Sequence, residues 1–299
     1  IRRIHMPTET YMKHFVKLHT DSDIIYENNS KHVDNYRIGS LPSCEILVKQ
    51  AIHILYHKEH SDNNMVDFSR NDLNRMWKKT ISCINPGDFQ FTLPLLDVSS
   101  TMLQTDPDAF YSAIAIAMMI SSRSSMEYRI LTVASSPTWI QWKHTDSFVD
   151  IVENIIESIS PTQCSSLQYE NSISLIIQSL YGSMSTTRFV DNMQIVCISD
   201  FALHMQFDEI SQIFDMNMLD VSPTIIYWNV ATQNIANVDV NLSGHKHYYH
   251  SGNSIHALKT IIQSSGPMTM YETIANTLDC SRYSNPSSYL YSLCKYTSS

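Results

Sequence analysis

The chain has 299 residues, with 20 Lys and Arg against 29 Asp and Glu, for a formal net charge of −9. Hydrophobic residues make up 43% and Gly occurs only 6 times, which excludes a disordered chain, a collagen-like chain and a family of glycine-rich phosphate loops. The acidic balance argues against broad electrostatic capture of a nucleic-acid backbone, which needs clustered Lys and Arg.

The chain begins at Ile1 without Met, so it reads as a fragment or processed product. No signal peptide follows. No apolar run approaches the ~18 residues of a membrane span. The six cysteines include no C-x-x-C pair, which speaks against a zinc ribbon. A reduced intracellular setting, cytoplasmic or virion-associated, is the expectation.

The first forty residues are polar and weakly periodic and read as an irregular arm. Ser43 can cap a helix over 44–58, whose apolar face is Ile46, Leu47, Ala51, Ile54 and Leu55. A second helix fits 69–81, with Leu73, Met76 and Trp77 inward. Asn85-Pro86-Gly87-Asp88 is a turn. After it the pattern changes. Apolar strands fit 89–96, 129–134, 138–142, 194–199 and 224–229, with a weaker one near 237–242. Helices fit 108–121, 147–158, 167–180, 207–216, 254–264, 268–278 and 287–295. Apolar strands alternating with amphipathic helices predict an α/β fold, a doubly wound, mostly parallel sheet with helices on both faces. Residues 1–88 are expected to be an irregular and helical extension, and 89–299 the α/β domain.

Such sheets bind ligands beyond the carboxyl ends of their strands, where strand order reverses. That rule directs attention to two places. One is Leu96-Asp97-Val98-Ser99-Ser100-Thr101-Met102, where Asp97, Ser99 and Thr101 can turn three oxygen side chains toward one point. The other is Ile198-Ser199-Asp200, where a later strand ends in a carboxylate. Carboxylate and hydroxyl oxygens suit a hard cation such as Mg²⁺. Asp97 and Asp200 can equally serve as caps for the helices that follow.

The pattern Asp97-x-Ser99-x-Thr101, with Asp200 ending a later strand, resembles the metal-ion-dependent adhesion site (MIDAS) of von Willebrand factor A domains. The order of further segments is similar to the von Willebrand A-like proteins of large DNA viruses, fungi and plants, which are related to the C-terminal module of the TROVE/Ro RNA-binding proteins. These segments are Leu41 to Leu47, Met76 to Lys79, Leu96 to Met102, Ile198 to Phe201, Ile225 to Asn229 and Leu242 to Gly244. The likeness covers about residue 40 to the end. It implies a von Willebrand A-like domain over 89–299 and a metal site of Asp97, Ser99, Thr101, a middle-loop Ser165 or Ser166, and Asp200. Ser100 stands where the family commonly has Gly, and would carry strain if its φ were positive.

The resemblance implies a non-enzymatic module whose Mg²⁺ or Mn²⁺ engages a carboxylate on a partner protein. RNA is the alternative partner, and a structural role in a viral assembly with a vestigial metal site is the other alternative. No nucleophile and base pair points to an enzyme. His53, His57 and His60 share a helical face and read as a solvated histidine face. His245, His247 and His250, with Tyr248 and Tyr249, read as a surface loop and edge strand.

Overall fold

The computed structural model describes residues 44–56, 69–82, 84–85, 87–99, 102, 107–126, 128–134, 136–159, 169–182, 192–200, 213–214, 223–231 and 247–251. The expected arm before residue 44, the Ser43 cap, the strand at 237–242 and the last three helices lie outside these residues. So does most of the helix at 207–216.

Helices α1 (Cys44–Tyr56) and α2 (Arg70–Ser82) come first. Strand β1 (Thr92–Asp97), helix α3 (Pro107–Ser121), strands β2 (Arg129–Val133) and β3 (Trp139–Gln141), and helices α4 (Phe148–Ser158) and α5 (Tyr169–Gly182) follow. Strands β4 (Gln194–Ser199), β5 (Thr224–Asn229) and β6 (His247–Ser251) complete the described elements.

The six strands form one sheet in the order β3-β2-β1-β4-β5-β6. All neighbours run parallel except β2 and β3, which pair antiparallel. The fold is therefore α/β with a mostly parallel sheet, and strand order reverses between β1 and β4. β6 is the outer strand beside β5, with Ile226 opposite Tyr248 and Trp228 opposite His250.

Strand alternation sorts side chains between two cores. Leu96, Val196, Ile198, Ile226 and Trp228 face one way, into a core shared with α1, α2, α3 and α4. Leu95, Leu131, Cys197, Ile225 and Tyr227 face the other way, under α5. Helix α3 is apolar nearly all round because it is covered on both sides, by the sheet and by α1. Lys49 of α1 reaches Asp108 of α3 at 3.6 Å, and Ser112 of α3 donates to Glu45 at 3.2 Å.

The strand expected from Phe89 begins three residues later. Asp88 N–H donates to Asn85 O and Thr92 N–H to Phe89 O, both at 3.1 Å, so the chain is still turning at Phe89. Among the described residues no helix is long and apolar enough to cross a membrane.

Candidate metal centre

The site begins with strand register. Leu96 pairs with Ile198, so Asp97 ends β1 beside Ser199 at the end of β4. Ser199 in turn pairs with Asn229 at the end of β5. Period-two alternation turns Asp97, Ser199 and Asn229 to the α5 face, in line with Leu95, Cys197 and Tyr227. A polar row thus crosses the carboxyl edge of the three central strands, at the reversal of strand order. All three residues are fully buried.

Asp97 is held at both oxygens. Its Oδ1 accepts from Ser99 N–H at 2.7 Å, which folds the chain back just after β1. Its Oδ2 accepts from the Ser199 hydroxyl at 2.5 Å. Burial pushes the Asp97 carboxyl up to about 6, against the pull of Ser199 and of the Ser99 backbone and hydroxyl, and the neighbouring Asp200 charge adds to the rise. Asp200, one residue beyond β4, is buried as well.

Asp97, Ser99 and Asp200 of the expected site are therefore brought to one strand edge. Ser100, Thr101, Ser165 and Ser166 lie outside the described residues. The residues present fit a hard divalent cation, since buried carboxylates and hydroxyls are the oxygen donors such ions take. Among the described residues no group of three or more His, Cys, Asp or Glu is placed to hold a metal ion.

Two residues of this neighbourhood carried no role in the sequence. Ser199 lay in an apolar run, and only the β1–β4 register reveals it as the partner of Asp97. Tyr169 opens α5, the helix over the polar row. Its hydroxyl is buried with no hydrogen-bond partner among the described residues. Burial raises its pKa well above that of an ordinary tyrosine, and the nearby Asp97 charge adds to this. A buried hydroxyl left unpaired costs about 1–3 kcal/mol, so this one calls for an explanation.

His53 lies on α1, and His57, His60 and His245 are outside the described residues. His250 stands on β6 with its ring edge-on to Trp228, centroids 5.1 Å apart. Its Nε2 is buried with no hydrogen-bond partner among the described residues, and burial pushes its pKa down to about 4.

No protein-family model and no curated protein matches the chain. Among solved structures it is similar to the Ro protein of Deinococcus radiodurans, at 11% identity over 86% of this chain and 52% of that one, with a TM-score of 0.44. It is also similar to proximal thread matrix protein 1 of the mussel byssus, at 14% identity over 58% of this chain and 44% of that one, with a TM-score of 0.38. A structure of the same mussel protein with a zinc-occupied MIDAS motif is similar at 14% identity over 69% and 52%, with a TM-score of 0.38. The chain spans about half the length of these neighbours.

Proposed function

We propose that the chain is a non-enzymatic binding module that engages an acidic group of a partner protein through a divalent cation. The supporting observation is the burial of Asp97 together with Ser199 and Asp200 at the carboxyl edge of β1 and β4, where strand order reverses. Two carboxylates buried so close together repel, and a cation relieves that repulsion.

In this reading Asp97, Ser99 and Asp200 hold the ion, with Thr101 and Ser165 or Ser166 completing the set. A bound Mg²⁺ or Mn²⁺ would supply a hard Lewis-acid centre able to attract an oxygen of the partner. Ser99 and Ser199 direct the Asp97 carboxylate through hydrogen bonds to both of its oxygens. The hydroxyl donors add no charge, so the site stays attractive to a further carboxylate. The chain's net charge of −9 gives an acidic partner no general attraction, which leaves the local cation as the recognising element.

Thermal melts with added Mg²⁺ or Mn²⁺ test this reading. The parent is expected to gain about 2.7 kcal/mol of stability when the ion is at a hundred times its dissociation constant. Asp97→Ala is expected to gain nothing. An equal response of the two proteins, including no response in either, removes the metal from the function.

A further inference from the structure

We propose that the corner formed by Tyr128, Trp142 and His144 is a binding surface for single-stranded nucleic acid, with bases stacking on the Tyr128 and His144 rings and phosphates meeting Lys78, Arg129 and Lys143. The corner lies at the amino end of β2, the opposite end of the sheet from Asp97, and does not depend on the metal-binding reading.

Backbone strain marks the place. Among the described residues Tyr128 is the one non-glycine with a positive φ, at 57°. In that conformation an L side chain crowds the following carbonyl, and glycine or asparagine would stand there at less cost. Trp142 N–H, just after β3, holds it by donating to Tyr128 O at 3.3 Å. Such strain persists where the surrounding structure enforces it, and what it places here is a ring. That ring lies tilted on Trp142, centroids 6.2 Å apart, and edge-on to His144 at 5.9 Å. Trp142 is buried, Tyr128 half-buried and His144 exposed. His144 sits in a turn closed twice, Lys143 N–H donating to Asp146 Oδ2 at 2.8 Å and Asp146 N–H to Lys143 O at 3.0 Å. The aromatic surface is therefore set before a ligand arrives, which keeps the ordering cost of binding low.

Charge points to the ligand. Lys49, Arg70 and Arg75 are engaged with Asp108, Asp150 and Asp72, and Arg123 with the Ile81 carbonyl. Lys78, Arg129 and Lys143 are exposed, and their side chains have no ion pair or hydrogen bond among the described residues. Arg129 and Lys143 adjoin Tyr128 and His144 in the chain. Lys78 follows Asn74 by one helical turn, on the side of α2 that meets Phe148 near its start and Arg123 at its end. The acids of this corner are Asp146 and, beside Tyr128 in the chain, Glu127. Free cations next to a fixed aromatic surface suit a planar, anionic ligand, and a single strand offers a base face and a phosphate at every step. The net charge of −9 argues against capture by the field of the whole chain, so stacking carries the affinity and the cations orient the backbone.

The test is fluorescence anisotropy of a short labelled oligouridylate titrated with the whole chain at several salt concentrations, in the presence of EDTA. The parent is expected to bind, with log K falling against log salt at a slope of about −2 for contacts to three phosphates of a single strand. His144→Ala is expected to weaken binding about tenfold and His144→Phe to restore it. Lys143→Gln is expected to make the slope shallower by about 0.7. Both residues are exposed, so unchanged melting temperatures accompany these losses. Asp97→Ala is expected to bind as the parent does, which separates this surface from the cation site. No binding at low salt overturns the proposal, and so does binding that His144→Ala and Lys143→Gln leave undiminished. Competition by free uridine monophosphate as strong as by the oligomer, or equal binding of a duplex, also overturns it, since either removes the single strand as the ligand.

Discussion

Asp97 ionises at a cost to the fold. Its carboxyl lies at about 6, above an ordinary aspartate's 3.8, so between those values the folded chain keeps a proton that the unfolded chain has released. Stability from this residue is full below the lower value and is lost as pH rises through the upper one, by on the order of 3 kcal/mol in all. Asp97→Asn is therefore expected to melt above the parent at neutral pH without divalent ions. The advantage should shrink as pH falls toward 4, which melts at several pH values will read. His250 has the opposite sign. Its imidazole lies at about 4, below an ordinary histidine's 6.5, so its contribution is present above the higher value and is lost as pH falls through the lower one. His250→Phe is expected to flatten the acid side of the profile while leaving neutral stability nearly as it was. A parallel profile for parent and variant would show that the ring titrates as in water. In the proposed cation site protons compete for Asp97, so Mn²⁺ affinity should fall about fivefold from pH 6 to pH 5.

At the scale of elements, local signals were legible and relations between elements were not. Helix α2 carries its own start signal: Ser69 Oγ accepts from Asp72 N–H at 3.2 Å, and Asp72 Oδ2 accepts from the Ser69 hydroxyl at 2.7 Å. Leu73, Met76 and Trp77 repeat at helical spacing, so their inward face was readable. What they meet was not. Trp77 stacks on Phe148 of α4 with centroids 4.7 Å apart, and Asn74 Oδ1 accepts the Phe148 N–H at 2.6 Å. One face of α2 thereby fastens and caps the start of a helix some seventy residues later. Trp77→Ala is expected to cost about 3–5 kcal/mol, measured by denaturant unfolding. Asp97 and Asp200 were legible for a similar reason, since each ends an apolar run. Ser199 and Tyr169 were not, because register between distant strands, and the choice of helix that covers a sheet face, leave no periodic mark in the chain. The antiparallel direction of β3 was hidden in the same way, three residues being too few to carry a pattern.

At the scale of the whole molecule, the strand-order reversal was inferable from alternating strands and helices, and it directed attention to the ends of β1 and β4 before any pairing was known. The pairing adds a temporal property. Asp97 and Ser199 are 102 residues apart in the chain, and their hydrogen bond closes everything between them into one loop. Contacts of such separation form only after the intervening chain has been ordered, which makes them late and slow events in folding. A cation that needs both strand ends has little to bind in the transition state if the β1–β4 edge closes last. Its stabilisation would then fall on the unfolding limb, slowing escape from the native state while refolding proceeds at its usual rate. Stopped-flow chevrons with and without Mg²⁺ should share a refolding limb and part on the unfolding one. The edge proposed to select the ligand would then also set how long the folded molecule lasts.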